Sequence, residues 1–360
     1  MVYKQREPKP TDAPVFSHSQ LKDANLCMKM WEYKYRKNKI VAPNERFRLG
    51  SANHAYLERL YKIVIRDHGG KSRPLTDSQT DELFDPAYLE EAEIALIDSL
   101  KARTYIAYYL KVYSELDKYY VFLDAENQLF VPFITPKGRK IYFEVIIDLV
   151  AFDERDHQLV IIDHKTGGKT WSYDQALFDI QLPIYMAAQR LIGRPVGRAV
   201  INFVRTGMAK PQTAFLEGSL FTRLEVKKSN REIDGTLHQL GRRIDRILED
   251  VENDEITFSL GQNCPRCPYR EVCKLHLAQQ HQAAEVYLQN NYLDKERPVF
   301  TSFVPQIRQE PEVKPQEEEL IQELKFELEN LDQPLLMQED SNRGAVLAEG
   351  PQEALEEWVF

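Results

Sequence analysis

An α/β fold is predicted by three features of the 360-residue sequence. Four runs rich in β-branched and aromatic residues fall near its middle, at 128–134, 140–152, 158–164 and 198–205. Helical periodicity surrounds them at 17–39, 51–66, 173–192 and 229–252. Hydrophobic residues make up 43% and charged residues 29%, the balance of a soluble globular protein able to bury a sizeable core at this length. Fifteen Gly and nineteen Pro exclude collagen-like and Pro-rich fibrous classes. No run approaches the roughly 18 to 20 apolar residues of a membrane span, and the first ten residues lack the apolar segment of a secretory signal. A cytoplasmic protein with no membrane partner is expected.

Taken in order, residues 1–16 are polar and contain proline, which suits a flexible arm. A helix covering 17–39 starts at Ser17 or Ser19. Ser19 fits an N-cap before Leu21, and Leu26, Met30 and Tyr33 continue the apolar stripe. A second helix, 51–66, ends near Gly69 and Gly70. Residues 71–120 carry helical pattern broken near Pro86 and read as a helical insertion. The strands 140–152 and 158–164 are joined by a polar turn, Asp153 to His157, and 173–192 is helical despite Pro183. A long polar helix, 229–252, precedes clustered cysteines at 264–273. There is no internal repeat, and one domain spanning 17–300 is expected.

The net charge of −9 conceals two different parts. Residues 301–360 hold 15 Asp/Glu against 4 Lys/Arg, which leaves a near-neutral, slightly basic body. Bulk charge therefore does not argue against a nucleic-acid substrate, since local patches decide that. The tail is rich in Glu, Gln and Pro and cannot bury enough apolar surface to fold alone. Leu320, Leu324, Leu328 and Leu331 nonetheless share one helical face. A largely disordered acidic tail is expected, either passive, or a DNA mimic that occupies the basic groove, or a docking element for a protein partner.

The strongest chemical signal is Asp148 followed by Asp163-His164-Lys165. A hairpin turning between Arg155 and Asp156 sets Asp148 directly opposite Asp163, with side chains about 5 Å apart. Strand alternation puts Lys165 on the same face as Asp163. An edge hairpin with solvated charges would show the same residues, but the Ile/Val runs 145–147 and 160–162 make a solvated face less natural. Opposed carboxylates in an apolar sheet are destabilising unless a cation lies between them. Two carboxylates with a carbonyl or imidazole suit Mg²⁺ or Mn²⁺. A neighbouring lysine can orient or deprotonate water and stabilise developing phosphate charge. Gly168-Lys169-Thr170 is a decoy for a phosphate loop: the motif needs a glycine where Asp163 stands.

These residues resemble the PD-(D/E)XK nuclease superfamily, specifically its RecB-like branch. Leu49-Gly50-Ser-Ala-Asn-His54 is similar to the Gly-x-x-x-His segment of that branch, and Gln181-Leu-Pro-Ile-Tyr185 to its Gln-x-x-x-Tyr motif. The resemblance implies a restriction-endonuclease-like core, a central mixed sheet flanked by helices. It implies that His54, Asp148, Asp163 and the His164 carbonyl hold the metal, that Lys165 is the catalytic lysine, and that Gln181 and Tyr185 contact DNA. One departure stands out: Val145 occupies the position three before the first aspartate, where the family often has glycine.

The four cysteines are Cys27, Cys264, Cys267 and Cys273, the last three in a C-x2-C-x5-C pattern. By spacing alone this reads as a Zn²⁺ knuckle, with His276 a candidate fourth ligand. The segment around Cys27 resembles the early cysteine helix of iron–sulfur RecB-like nucleases, namely AddB-type and CRISPR-associated RecB-like exonucleases. That resemblance implies a [4Fe–4S] cluster using all four cysteines, a structural staple across the chain. The activity implied is a metal-dependent DNA nuclease, an exonuclease on single strands or duplex ends, in repair, recombination or phage- or CRISPR-type DNA processing. The competing reading is a non-catalytic DNA-binding scaffold on the same fold. Arg205, Lys210 and Lys227 are candidate phosphate contacts.

Overall fold

The computed structural model describes residues 9–85, 96–206 and 210–294. The tail, with its leucine stripe, lies outside them. Strand β1 (Val15–Ser17) leads into α1 (His18–Leu26) and α2 (Met28–Trp31), then a π-turn (Glu32–Arg36) and β2 (Lys39–Ile40). Helices α3 (Glu45–His68), α4 (Asp77–Leu83), α5 (Leu96–Leu110) and α6 (Tyr113–Leu116) follow. The hairpin strands are β3 (Tyr120–Ile134), β4 (Lys140–Asp153) and β5 (Gln158–Gly167). Then come α7 (Tyr173–Leu177), α8 (Gln181–Leu191), β6 (Val196–Arg205), α9 (Pro211–Leu216), β7 (Phe221–Lys227) and α10 (Asn230–Glu252). The described chain closes with α11 (Arg270–Leu277), α12 (His281–Asn291) and β8 (Leu293–Asp294).

Six strands form a mixed sheet, as expected of an α/β core. β3 pairs antiparallel along one edge of β4. The other edge of β4 is shared: β1 runs parallel to residues 142–144 and β5 antiparallel to 149–153. β5 continues parallel to β6, which pairs antiparallel with β7. The β4–β5 ladder keeps the register expected from sequence, with Asp153 paired to Gln158 and Leu149 to Ile162. It stops there, so Asp148 and Asp163 are the first residues past the last rung, where the strands part.

Each sheet face carries its own core. On one face, Phe143, Val145, Ile147 and Ile161 pack with α1, α8 and α10 through residues such as Leu21 and Ile244. On the other, Ala151 and Ile162 meet Leu57, Leu60 and Tyr61 of α3 and Tyr105 and Tyr109 of α5. The apolar alternation changes face midway. Ile147 joins the first core and Leu149 the second, although strand geometry puts residues two apart on one side. β3 does the same, with Leu129 on the first face and Ala125 on the second. The switch sits at Glu126, whose backbone is left-handed at φ 52 inside the strand. Among the described residues, no helix is long and apolar enough to cross a membrane.

Several boundaries differ from the sequence reading. The arm does not run to 16: Val15 and Phe16 add to the sheet edge, and Phe16 is buried. Ser17, not Ser19, is the N-cap, accepting from the Gln20 amide at 3.3 Å. The helix expected over 17–39 breaks at Cys27, which is extended (φ −165, ψ 122). The helix expected at 51–66 begins earlier, capped by Asn44, and stops where Gly69 turns left-handed at φ 62. The segment 71–120 is no detached insertion, because α5 and α6 complete the second core. Strand β7, in which Leu224 and Val226 alternate with Arg223, Glu225 and Lys227, is absent from the sequence reading.

Candidate active site

Asp163 is almost fully buried, and its carboxylate is held from two directions. Lys165 Nζ lies 2.6 Å from Oδ2, and Gln181 Nε2 donates to Oδ1 at 2.8 Å. Gln181 closes the arrangement by accepting from Lys165 Nζ at 2.8 Å and donating to the Tyr185 hydroxyl at 2.7 Å. One turn of α8 places Gln181 and Tyr185 on the same face. That helix starts at Gln181 because the chain breaks after α7. Pro183 then falls in its first turn, where a missing amide hydrogen costs nothing. Gln181 is anchored by its own backbone amide, which donates to Asp179 Oδ1 at 2.8 Å.

Electrostatics follow from this burial. Burial pushes the Asp163 carboxyl up, against the Lys165 charge, and nearby Asp148 adds to the rise. Burial opposes the Lys165 charge, but Asp163 outweighs it and holds the ammonium above its ordinary value. Lys165 Nζ also lies 5.6 Å from the centre of the Trp171 ring.

Asp148 faces a different set. Its Oδ2 accepts from the His164 amide at 2.7 Å, a backbone donor released where the ladder ends, and lies 3.6 Å from His54 Nδ1. His54 is presented by α3, which comes close to β5 at Gly50: a Cβ there would sit 3.0 Å from Thr166 Oγ1. The glycine in the Gly-x-x-x-His segment thus permits the helix to approach. The His164 ring turns away into the second core. It stacks on Tyr61 at 5.7 Å and lies 3.0 Å from Asn202 Nδ2. Asn202 Oδ1 accepts from Arg223 at 3.3 Å, and Arg223 pairs with buried Asp117 at 2.5 Å. Burial holds His164 well below its ordinary value, and with its ring turned toward Tyr61 and Asn202 it is the backbone that faces Asp148.

The structure therefore brings His54 to Asp148, and Lys165 and Gln181 to Asp163, at adjacent positions where two strands part. Three residues near the site were missed by sequence reasoning. Glu126 puts a carboxylate oxygen within 4.8 Å of ligand atoms of both His54 and Asp148. His18 packs edge-on to Tyr185 at 6.1 Å, and burial together with Lys165 lowers it to about 4. Asp179 is the third. None carries a local motif, although β3 register places Glu126 opposite Asp148, between the Ala125–Leu149 and Asn127–Ile147 pairs. Of the candidate phosphate contacts, Arg205 pairs with Gly167 at the Lys165 end of the sheet. Lys210 is exposed ahead of α9. Lys227 is misplaced: it pairs with Arg198 at the opposite end of β6 and lies 3.4 Å from Glu225.

All four cysteines line one cavity of about 670 Å³ at the α1–α2 junction. Burial, then neighbouring thiols led by Cys267, pushes Cys273 up to about 12. No three of the four sulfurs come within 4.8 Å of one another. His276, the candidate fourth zinc ligand, does not line the cavity. Its Nδ1 lies 3.1 Å from His281, and its Nε2 lies 3.9 Å from Glu285.

A sequence model of the PD-(D/E)XK nuclease superfamily matches residues 15–274. No curated protein matches the chain. Among solved structures, a protein from Eubacterium rectale provisionally named an exonuclease is similar at 14% identity and TM-score 0.42, over 72% of this chain and 93% of that one.

Proposed function

Because the chain belongs to the PD-(D/E)XK nuclease superfamily, we propose that it is a Mg²⁺- or Mn²⁺-dependent deoxyribonuclease acting as an exonuclease in DNA repair, recombination or phage- or CRISPR-type processing. One observation carries the reading: the Lys165–Asp163–Gln181 triangle stands beside the His54–Asp148 pair at the open end of a strand ladder. The donor set fits a divalent ion, since imidazole and carboxylate oxygen converge where repelling acids would otherwise face each other. His54, Asp148, Asp163 and the His164 carbonyl would hold it, and when bound it supplies positive charge to the scissile phosphate. Lys165 orients the attacking water and takes up charge developing on phosphate. Gln181 fixes the Lys165 ammonium, and Tyr185 fixes Gln181. Intact Asp148, Asp163 and Lys165 weigh against a non-catalytic scaffold.

The cysteine cavity is proposed to hold a [4Fe–4S] cluster rather than Zn²⁺. All four thiols line it, the number that such a cluster takes. The cluster would tie Cys27 to the 264–273 segment. The acidic tail is proposed as a protein-docking element.

The test is incubation of end-labelled single- and double-stranded DNA with Mg²⁺ or Mn²⁺. Loss of nucleotides from one end, absent in Lys165→Ala, is expected. Cleavage unchanged in Lys165→Ala, or none with either ion, would overturn the proposal.

A further inference from the structure

We infer that Glu126 is a further protein ligand of the divalent cation, beside His54 and Asp148. The inference rests on the metal-dependent reading above and extends it. Among the described residues, one group of three metal-binding side chains converges within 4.8 Å, and it is His54, Glu126 and Asp148.

The backbone explains how a residue on β3 reaches a site built on β4 and β5. In regular strands the residue opposite Asp148 would follow its neighbours' alternation. Instead both strands exchange faces at this rung, Leu129 and Ile147 packing on one side and Ala125 and Leu149 on the other. Glu126 takes up that change with a left-handed backbone that a non-glycine residue seldom adopts. Its side chain is half-buried, as are His54 and Asp148, so the group is open enough for a hydrated ion. One imidazole and two carboxylates supply three donors, leaving positions for water and phosphate oxygen. The mixed set favours Mn²⁺ over Mg²⁺, because imidazole is a poorer partner for the harder ion.

Mn²⁺ is the probe, and its binding is followed by electron paramagnetic resonance on the full chain, without DNA. Glu126→Gln is expected to raise the Mn²⁺ Kd at least about tenfold and Asp148→Asn similarly. Melting temperatures without metal, unchanged in Glu126→Gln, separate lost ligation from lost folding. If Glu126→Gln unfolds, Glu126→Asp takes its place and is expected to bind more weakly than the parent. Parent-like binding in a folded Glu126 variant, with Asp148→Asn impaired, overturns the Glu126 assignment alone. Failure of the parent to bind Mn²⁺, or parent-like binding in Asp148→Asn, overturns the metal-dependent reading as well.

Discussion

Gln181 accepts a hydrogen bond from Lys165 at 2.8 Å through one end of its amide, while the other end donates to Asp163 and to the Tyr185 hydroxyl. The ammonium and the carboxylate are thus held by one side chain as well as by each other. Gln181→Ala removes that fixture without touching either charge. Cleavage is expected to fall about 10- to 100-fold, the cost typical of losing a group that orients a ligand or catalytic residue. Far-UV circular dichroism should stay unchanged. A rate within twofold of the parent would mean that Lys165 is positioned by Asp163 alone.

Gly50 lets α3 approach β5 closely enough for His54 to reach Asp148. Gly50→Ala meets Thr166 Oγ1 at 3.0 Å, so helix or side chain must give way. Weaker Mn²⁺ binding is expected, by roughly an order of magnitude if the displacement pulls His54 from its site. Adding Thr166→Ala removes the clashing oxygen and should restore most of the loss. No recovery in the double variant would place the effect elsewhere on α3.

Asp153 closes the β4–β5 hairpin from inside the protein. It receives Arg155 Nη2 at 2.6 Å, Arg198 Nη2 at 2.7 Å and the Arg155 amide at 3.0 Å. Burial opposes its charge, but these donors outweigh burial and hold the carboxyl down at about 2. Because the folded value lies below the unfolded one of about 3.9, its stabilisation is complete above the unfolded value. It is lost as pH falls from about 4 through 2, on the order of 2 kcal/mol in all. Asp153→Asn should abolish that part of the acid dependence and, at neutral pH, leave Arg198 without its buried partner. A loss of about 3 kcal/mol by urea unfolding is expected.

The four cysteines give a stoichiometric prediction. Anaerobically purified protein should carry about four iron and four sulfide per chain. Cys27→Ser should lose iron as fully as Cys267→Ser, despite lying far away in sequence. One zinc per chain and no sulfide would sink the cluster assignment.

The residues by themselves determined the α/β class, the order of helices and hairpin, and the β4–β5 register that leaves Asp148 and Asp163 just past the last rung. Strand alternation and a short polar turn leave only one register that buries both Ile/Val runs. The same local reasoning set Lys165 on the face of Asp163 and Gln181 one helical turn from Tyr185. Tertiary structure alone decided which groups meet. Glu126 reaches Asp148 because two strands exchange faces at one rung, and His54 arrives because Gly50 lets a helix settle against β5. His18 lies beside Tyr185 only because β1 joins the sheet. The helix break at Cys27, needed to turn one thiol toward three others some 240 residues away, is also invisible to periodicity. Local sequence sets backbone propensity and facing within one element. Distances between elements follow from how whole faces pack, and a spacing pattern within one segment does not record that.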